Sequence, residues 1–400
     1  MPIPLEQITP GMLLSEDVFD AERKLLLRRG TELTAGRLDL LKRRGIAEVS
    51  VIAVEPDAEL IEQSEMYLRP FFACVDGEQE AMAELYRLSV LRTARLMASG
   101  WIPPAEEPHP VPRQNDLFFR GEGSVTDLVE HEVKLVTFPD IYFKVRDVID
   151  SLTSTAGDIA EVVSKDTSLS LKILRLVNSP LYGFSSSVQS VRRAVTLLGF
   201  IELSTLTLGI IVVRTFEDIP SRLLNMKSFW RHSVAVGVLA ELLAGEMGMN
   251  NRERFFVAGM LHDAGRLVMV KNLPRSYTEA LLYSRANGVP LVEAEQDVFG
   301  FNHGQVGGKL LNAWSIPLVL ESLVRFHHTP MIAPDPREAA VIHWADIMAI
   351  GLKYAQGGSV LVPPLIPGAW EALGISPDCL QGIVEKADRE IETILSIFFS

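Results

Sequence analysis

From about residue 126 onward, apolar side chains recur at helical spacing almost without a break, and this pattern constrains the fold more than any other feature. Ile159, Val162 and Val163 share one face of a segment, and Leu169, Ile173, Leu174 and Val177 share one face of the next. Asp158 and Ser168 read as their N-caps, because short polar side chains can accept from the first free backbone N–H groups. The second helix stops at Asn178-Ser179-Pro180-Leu181-Tyr182-Gly183. A third starts at Ser190, presents Val191, Ala194, Val195 and Leu198, and stops at Gly199. The most apolar run, Leu203 to Val213, is far shorter than the roughly 20 residues a membrane span needs, so it reads as a buried core segment without membrane insertion. The expected fold class is mainly α: an all-helical domain over 126–335, completed by C-terminal helices over 336–400.

The first 54 residues break this pattern. Strand-like runs from Met12 to Val18 and Lys24 to Leu27 flank Asp20-Ala21-Glu22, Ala35 to Arg44 is helix-like, and Glu48 to Val54 is rich in β-branched residues. Residues 1–54 therefore read as a small α+β module. A helical segment follows over 55–100, opened by Pro56-Asp57 and carrying Leu85, Leu88, Leu91 and Leu96 at helical spacing, the pattern of a coil or a docking helix pair. Pro103, Pro104, Pro108, Pro110 and Pro112 lack backbone N–H groups and crowd a short polar stretch, which marks a Pro-rich linker over 101–125.

Composition narrows the class of protein. Of 400 residues, 48% are hydrophobic and 22% charged, enough apolar material for sizeable cores and too much for a disordered chain. A net charge of −13 would repel a phosphate backbone, so nucleic acid is not expected as a partner. The two cysteines, Cys74 and Cys379, lie far apart and suit neither a disulfide framework nor a thiolate zinc cluster; Cys74 reads as a small buried hydrophobe. The N-terminus lacks a basic segment followed by an apolar run, which predicts a cytoplasmic protein.

Five of the eight histidines, His232, His262, His303, His327 and His328, fall within one hundred residues. Each lies at or near the end of an apolar helix-like segment: His232 opens Ser233–Met247, His262 closes Phe255–Leu261, His303 opens the stretch to Trp314, and His327-His328 close Leu318–Phe326. Asp263 follows His262, and Asp346 lies in the apolar segment Ala339–Gly351, where a lone charge would cost several kcal/mol. Imidazole nitrogen with carboxylate oxygen suits iron, manganese, zinc or nickel better than calcium or magnesium. Seven donors exceed what one tetrahedral ion needs. A two-metal centre, with ions about 3.5–4 Å apart and Asp263 between them, would use them all and favours phosphoester hydrolysis.

Any one of these histidines also reads as a hydrogen-bonded core residue; the set is what argues for metal. His343, three residues before Asp346, is placed to orient a ligand. Glu295 reads as a solvated surface residue. Arg266 fits a catalytic phosphate or substrate contact, or equally an ion pair with a local carboxylate, and Lys271 is a second phosphate candidate.

These residues resemble a known family. Phe138-Pro139, the run from Asp166 through Asn178-Ser179-Pro180-Leu181-Tyr182-Gly183, Ser190-Val191 to Leu198-Gly199, and Trp230-Arg231-His232-Ser233 are similar to the HDOD domain of bacterial signalling proteins. Ala258-Gly259-Met260-Leu261-His262-Asp263-Ala264-Gly265-Arg266, Phe299-Gly300-Phe301-Asn302-His303, Trp314-Ser315-Ile316-Pro317 and His327-His328-Thr329-Pro330 continue the series in order. The resemblance implies an all-helical fold related to the HD superfamily of metal-dependent phosphohydrolases. Residues 1–54, with Pro10-Gly11-Met12-Leu13 and Gly30-Thr31-Glu32-Leu33-Thr34, resemble the small module ahead of HD-GYP cyclic-di-GMP phosphodiesterases.

Two functions follow from the resemblance. HDOD domains imply a regulatory or scaffold role with a signalling protein partner. HD-GYP enzymes imply a metal-dependent phosphohydrolase or phosphodiesterase acting on a nucleotide or cyclic dinucleotide, and His232, His262, Asp263, His303, His327, His328 and Asp346 fall in the order of their metal ligands. The chain departs from those enzymes in lacking Gly-Tyr-Pro after His327-His328 and in carrying Arg266 where they have lysine. A pure protein-interaction module is the third reading.

Overall fold

The computed structural model describes residues 2–5, 8, 12–20, 24–46, 48–51, 56–103, 124–135, 139–151, 153–184, 186–216, 224–354 and 361–399. Most of the expected linker over 101–125 lies outside the described residues, as do Pro10, Gly11 and Phe138.

The N-terminal segment forms β1 (Pro2–Pro4), β2 (Val18–Phe19), β3 (Leu25–Leu27), α1 (Ala35–Arg43) and β4 (Glu48–Ser50). β1 pairs antiparallel with β4, with Ile3 opposite Val49, and β2 pairs antiparallel with β3. The strand expected from Met12 is reduced to isolated bridges, Leu13 with Glu32 and Leu14 with Val51. β1 escaped notice because proline, lacking an N–H, argues against a strand except at an edge, and a two-stranded sheet has only edges. Leu5, Leu14, Leu33, Leu41, Val49 and Val51 form a core of their own.

Helices build the rest. The helical segment resolves into α2 (Ala58–Leu68) and α3 (Glu80–Ala98), which pack together, with Asp57 capping α2 by accepting from Leu60 N at 2.9 Å. Leu68, Met82 and Leu85 of this pair, with Phe71 from the short turn between them, belong to the main core, not to a separate one. Then come α4 (Val125–Leu135), α5 (Asp140–Asp150), α6 (Ala156–Ser164), α7 (Thr167–Val177), α8 (Val191–Leu198) and α9 (Phe200–Thr215). Two caps differ from expectation. Thr155 caps α6, and Asp158 answers it from the third helical position by accepting from Thr155 N at 2.7 Å. Asp166, not Ser168, caps α7, accepting from Leu169 N at 2.8 Å. Ser190 caps α8 as expected, and Gly199 ends it at φ 109°, where a Cβ would be strained. Among the described residues no helix is long and apolar enough to cross a membrane.

The site is carried by α10 (Met226–Glu246), α11 (Glu253–Leu261), α12 (Ala264–Asn272), α13 (Pro274–Asn287), α14 (Leu291–Phe299), α15 (His303–Ala313), α16 (Leu318–Phe326) and α17 (Pro336–Gly351). The short α18 (Ala369–Leu373) and the long α19 (Cys379–Phe399) close the structure. α10 packs against α11, α17 and α19 and is buried along most of its length. It crosses α11 at two glycines: a Cβ on Gly259 would lie 2.6 Å from the Gly237 Cα, so only glycine lets these backbones meet. Asn225 caps α10 by accepting from Ser228 N at 3.0 Å, so His232 sits well inside the helix instead of opening it.

Candidate metal centre

Three of the five histidines stand at helix ends. His262 terminates α11 and His327 terminates α16, and each places its Nδ1 2.6 Å from the carbonyl three residues back, Gly259 and Val324 respectively. A carbonyl only accepts, so each Nδ1 carries the proton and each Nε2 is left with its lone pair pointing away from the helix. Helix C-termini also carry partial negative charge, which favours a cation nearby. His303 is the first residue of α15. Its Nδ1 lies 2.6 Å from Glu295 Oε2, which also accepts from the His303 backbone N at 2.9 Å, so the ring is held with Nε2 outward. His232 comes from within α10 and Asp346 from within α17.

The outward nitrogens meet around Asp263. On one side His232 Nε2 lies 3.3 Å from His262 Nε2, 3.2 Å from Asp346 Oδ1 and 3.7 Å from Asp263 Oδ2. On the other, His303 Nε2 lies 3.1 Å from Asp263 Oδ1, 3.3 Å from His327 Nε2 and 2.8 Å from His328 Nε2. His232, His262 and Asp263 form one compact donor group, His303, His327 and His328 another, and His262, His327 and Asp346 a third. All seven predicted ligands are thus brought together, with Asp263 between two histidine groups.

This cluster fits a divalent cation. His303 and His327 point lone pairs at each other across 3.3 Å, an arrangement that is repulsive without positive charge between them. The Asp346 Oδ1 atom is buried and receives no well-aligned hydrogen bond. Burial alone would raise the Asp346 carboxyl, but the His232 and His262 imidazoles hold it well below the usual carboxylate range. Burial likewise works against the charged form of Asp263, and Arg266 with the surrounding imidazoles overcomes it and keeps the group ionised. Burial pushes His327 down to about 3 and His328 well below its ordinary value, leaving both neutral and able to ligate. For His262 burial opposes charge, but Asp263 and Asp346 outweigh it and raise the pKa.

The surrounding residues fall into place differently from expectation. Glu295, read as a surface residue, is fully buried beneath His303. Arg266 is buried behind Asp263: it donates to Asp263 Oδ2 and to the Tyr277 hydroxyl, both at 2.7 Å, and does not line the cavity over the centre. Lys271 points away and donates to Glu132 Oε1 at 2.7 Å. His343 accepts from Ile366 N through Nε2 at 3.2 Å, so its Nδ1 donates to the His327 carbonyl at 2.8 Å and steadies that residue's backbone. Burial lowers its pKa to about 4. Sequence reasoning missed the roles of Tyr277 and Glu295. Glu295 falls in register with Leu291, Ala294 and Val298, the buried stripe of α14, and a carboxylate in an apolar stripe needs a partner.

Above the centre is a cavity of about 20 Å³. Asp263, His303, His328 and Asp346 form its floor, and Pro290 to Val292, Ile350, Leu361 and Pro363 form its walls.

Fold and site together define a helical domain that gathers imidazoles and carboxylates into a buried cluster that could hold a cation. Residues 135–330 match the HDOD domain, and the chain carries an HDOD domain. An uncharacterised protein of Treponema pallidum is 21% identical over 226 residues, 56% of this chain but 44% of the relative, so the match spans less than half of that protein. An HDOD domain protein of unknown function from Geobacter sulfurreducens is similar in structure, with TM-score 0.50, 21% identity, and 69% of this chain and 98% of that chain covered. A Shewanella amazonensis protein assigned as a phosphohydrolase gives TM-score 0.52 and 22% identity, covering 68% of this chain and 97% of that one. A Marinobacter aquaeolei protein assigned to signal transduction gives TM-score 0.51 and 18% identity, covering 81% of this chain and 66% of that one. These likenesses establish the helical fold.

Proposed function

We propose that the protein is a bacterial signalling or regulatory protein whose HDOD domain holds divalent metal, two ions drawn from iron, manganese, zinc or nickel. His232, His262, Asp263 and Asp346 would hold one ion, and Asp263, His303, His327 and His328 the other. The observation that carries this reading is the set of Nε2 atoms pre-set as acceptors by their own Nδ1 hydrogen bonds and gathered around Asp263 and Asp346. Bound ions would supply Lewis acidity and lower the pKa of a coordinated water. Arg266 then acts as a positioning residue, fixing Asp263 so that Oδ1 faces His303. The division into a 1–54 module like that ahead of HD-GYP enzymes, a 55–100 helix pair, a 101–125 linker and a helical domain over 126–400 suits a cytoplasmic protein whose module meets a signalling partner.

A metal-dependent phosphohydrolase or cyclic-dinucleotide phosphodiesterase is the second reading, favoured by the placement of Asp263 between two histidine groups. Against it, Arg266 and Lys271, the expected phosphate contacts, are engaged by Asp263, Tyr277 and Glu132. Elemental analysis of protein purified without chelators decides the first point: bound metal in the native chain and its loss in Asp263→Ala are expected, and metal-free native protein under metal-replete growth overturns the reading. Turnover of cyclic di-GMP by the native chain, abolished in the same variant, would replace the regulatory reading with the enzymatic one.

A further inference from the structure

The cavity over the centre has a chemical character of its own. Among the described residues that line it, every polar side chain, namely Asp263, His303, His328 and Asp346, is a proposed metal ligand. The rest of the lining is proline, leucine, valine and isoleucine. No lysine, arginine, hydroxyl or amide side chain is among the described lining residues, so among them an entering molecule finds polar groups only at the proposed metal position. A phosphoester brings three or more oxygens and up to two charges, and each oxygen left without a donor in an apolar wall is unfavourable. Space points the same way. About 20 Å³ is little more than the roughly 10–15 Å³ that a single water requires, and the side chains of His232, His262, Asp263, His303 and Asp346 are each no more than 6% exposed.

We propose that the centre accepts as its exogenous ligand a small, metal-seeking anion of two or three atoms, and that the narrow apolar wall that includes Val292, Leu361 and Pro363 disfavours phosphoesters and nucleotides. This rests on the metal-binding reading and gives it an input: ligation of a small molecule, with no bond cleaved, is what the domain would report to a partner. Such an anion would reach the ion through one donor atom and leave its remainder against the apolar wall.

The test uses the full chain loaded with cobalt(II), whose visible absorption reports its ligands, titrated with azide, inorganic phosphate and cyclic di-GMP. Azide is expected to change the spectrum saturably and to bind at least about tenfold more tightly than phosphate, with cyclic di-GMP silent. Val292→Gly and Leu361→Gly, which widen the wall without altering a proposed ligand, are expected to admit phosphate. Phosphate or cyclic di-GMP binding to the native protein as tightly as azide overturns the proposal while leaving metal binding intact. Failure of cobalt to bind at all removes the metal reading and this inference with it.

Discussion

At the scale of single residues, the centre is organised less by its ligands than by what stands behind them. Glu295 accepts two bonds from His303, one from the ring and one from the backbone, so it sets both the tautomer and the entry of α15. Glu295→Ala is expected to weaken metal binding by about 10–100-fold, measured by competition with a chromophoric chelator, while far-ultraviolet circular dichroism stays unchanged. Arg266→Lys should keep the charge beside Asp263 but lose the fork that also grips Tyr277, since a lysine amine lacks the planar geometry for both bonds. A lower metal affinity with an unchanged ligand count is the expected outcome, read by the same titration. The candidate ligands themselves were legible as residue types in apolar surroundings. The supporting groups were not, because the Gly259 and Val324 carbonyls carry no side-chain signature and Glu295 becomes informative only once its place in the α14 stripe is weighed.

At the scale of helices, α10 is the element on which the site depends. Gly237 and Gly259 let α10 and α11 approach closely enough for His232 and His262 to face each other. Gly259→Ala is expected to cost about 1–3 kcal/mol in chemical denaturation and to reduce metal content, because the added methyl has only backbone to move against. The same helix carries Glu241, buried and pushed up to about 8, first by burial and then by Glu253, with Arg252 opposing. The folded state therefore keeps this group protonated, and the unfolded state releases its proton near 4.5. Stability from this group is full below that value and is lost as pH rises through about 8. Glu241→Gln should accordingly melt higher than the native protein at alkaline pH and close to it in mild acid, a comparison made by thermal unfolding across pH. Helix ends were partly readable: Ser190 caps where expected, but Asp158 and Ser168 yield to Thr155 and Asp166, because several adjacent residues could cap and only the backbone direction chooses.

At the scale of the whole molecule, the N-terminal segment packs β1 against α19 and also approaches a basic residue beside the histidine cluster. Arg231, preceding His232, pairs with Glu392 of α19 and donates from Nε to the Tyr354 carbonyl at 2.9 Å. Glu48 of β4 faces the same group. Burial, then the charge of Glu392, raises Glu48 to about 7, with Arg231 opposing. Ionisation of Glu48 as pH rises through that value places two carboxylates against one guanidinium and should loosen the module. Limited proteolysis is expected to cut the first fifty-odd residues faster at pH 8 than at pH 6, and Glu48→Gln should flatten the difference.

The amino-acid sequence by itself determined the helical class, the separate character of the first 54 residues and the identities of the seven converging donors, because periodicity and the cost of burying charge are local properties of a chain. Tertiary structure alone decided that His232 and Asp346 reach the centre from within helices, that Arg266 serves Asp263 instead of a phosphate, and that the cavity above is small, with apolar walls over a polar floor. Those outcomes depend on how closely α10, α11, α12 and α15 approach, a distance fixed by glycine contacts between segments far apart in the chain.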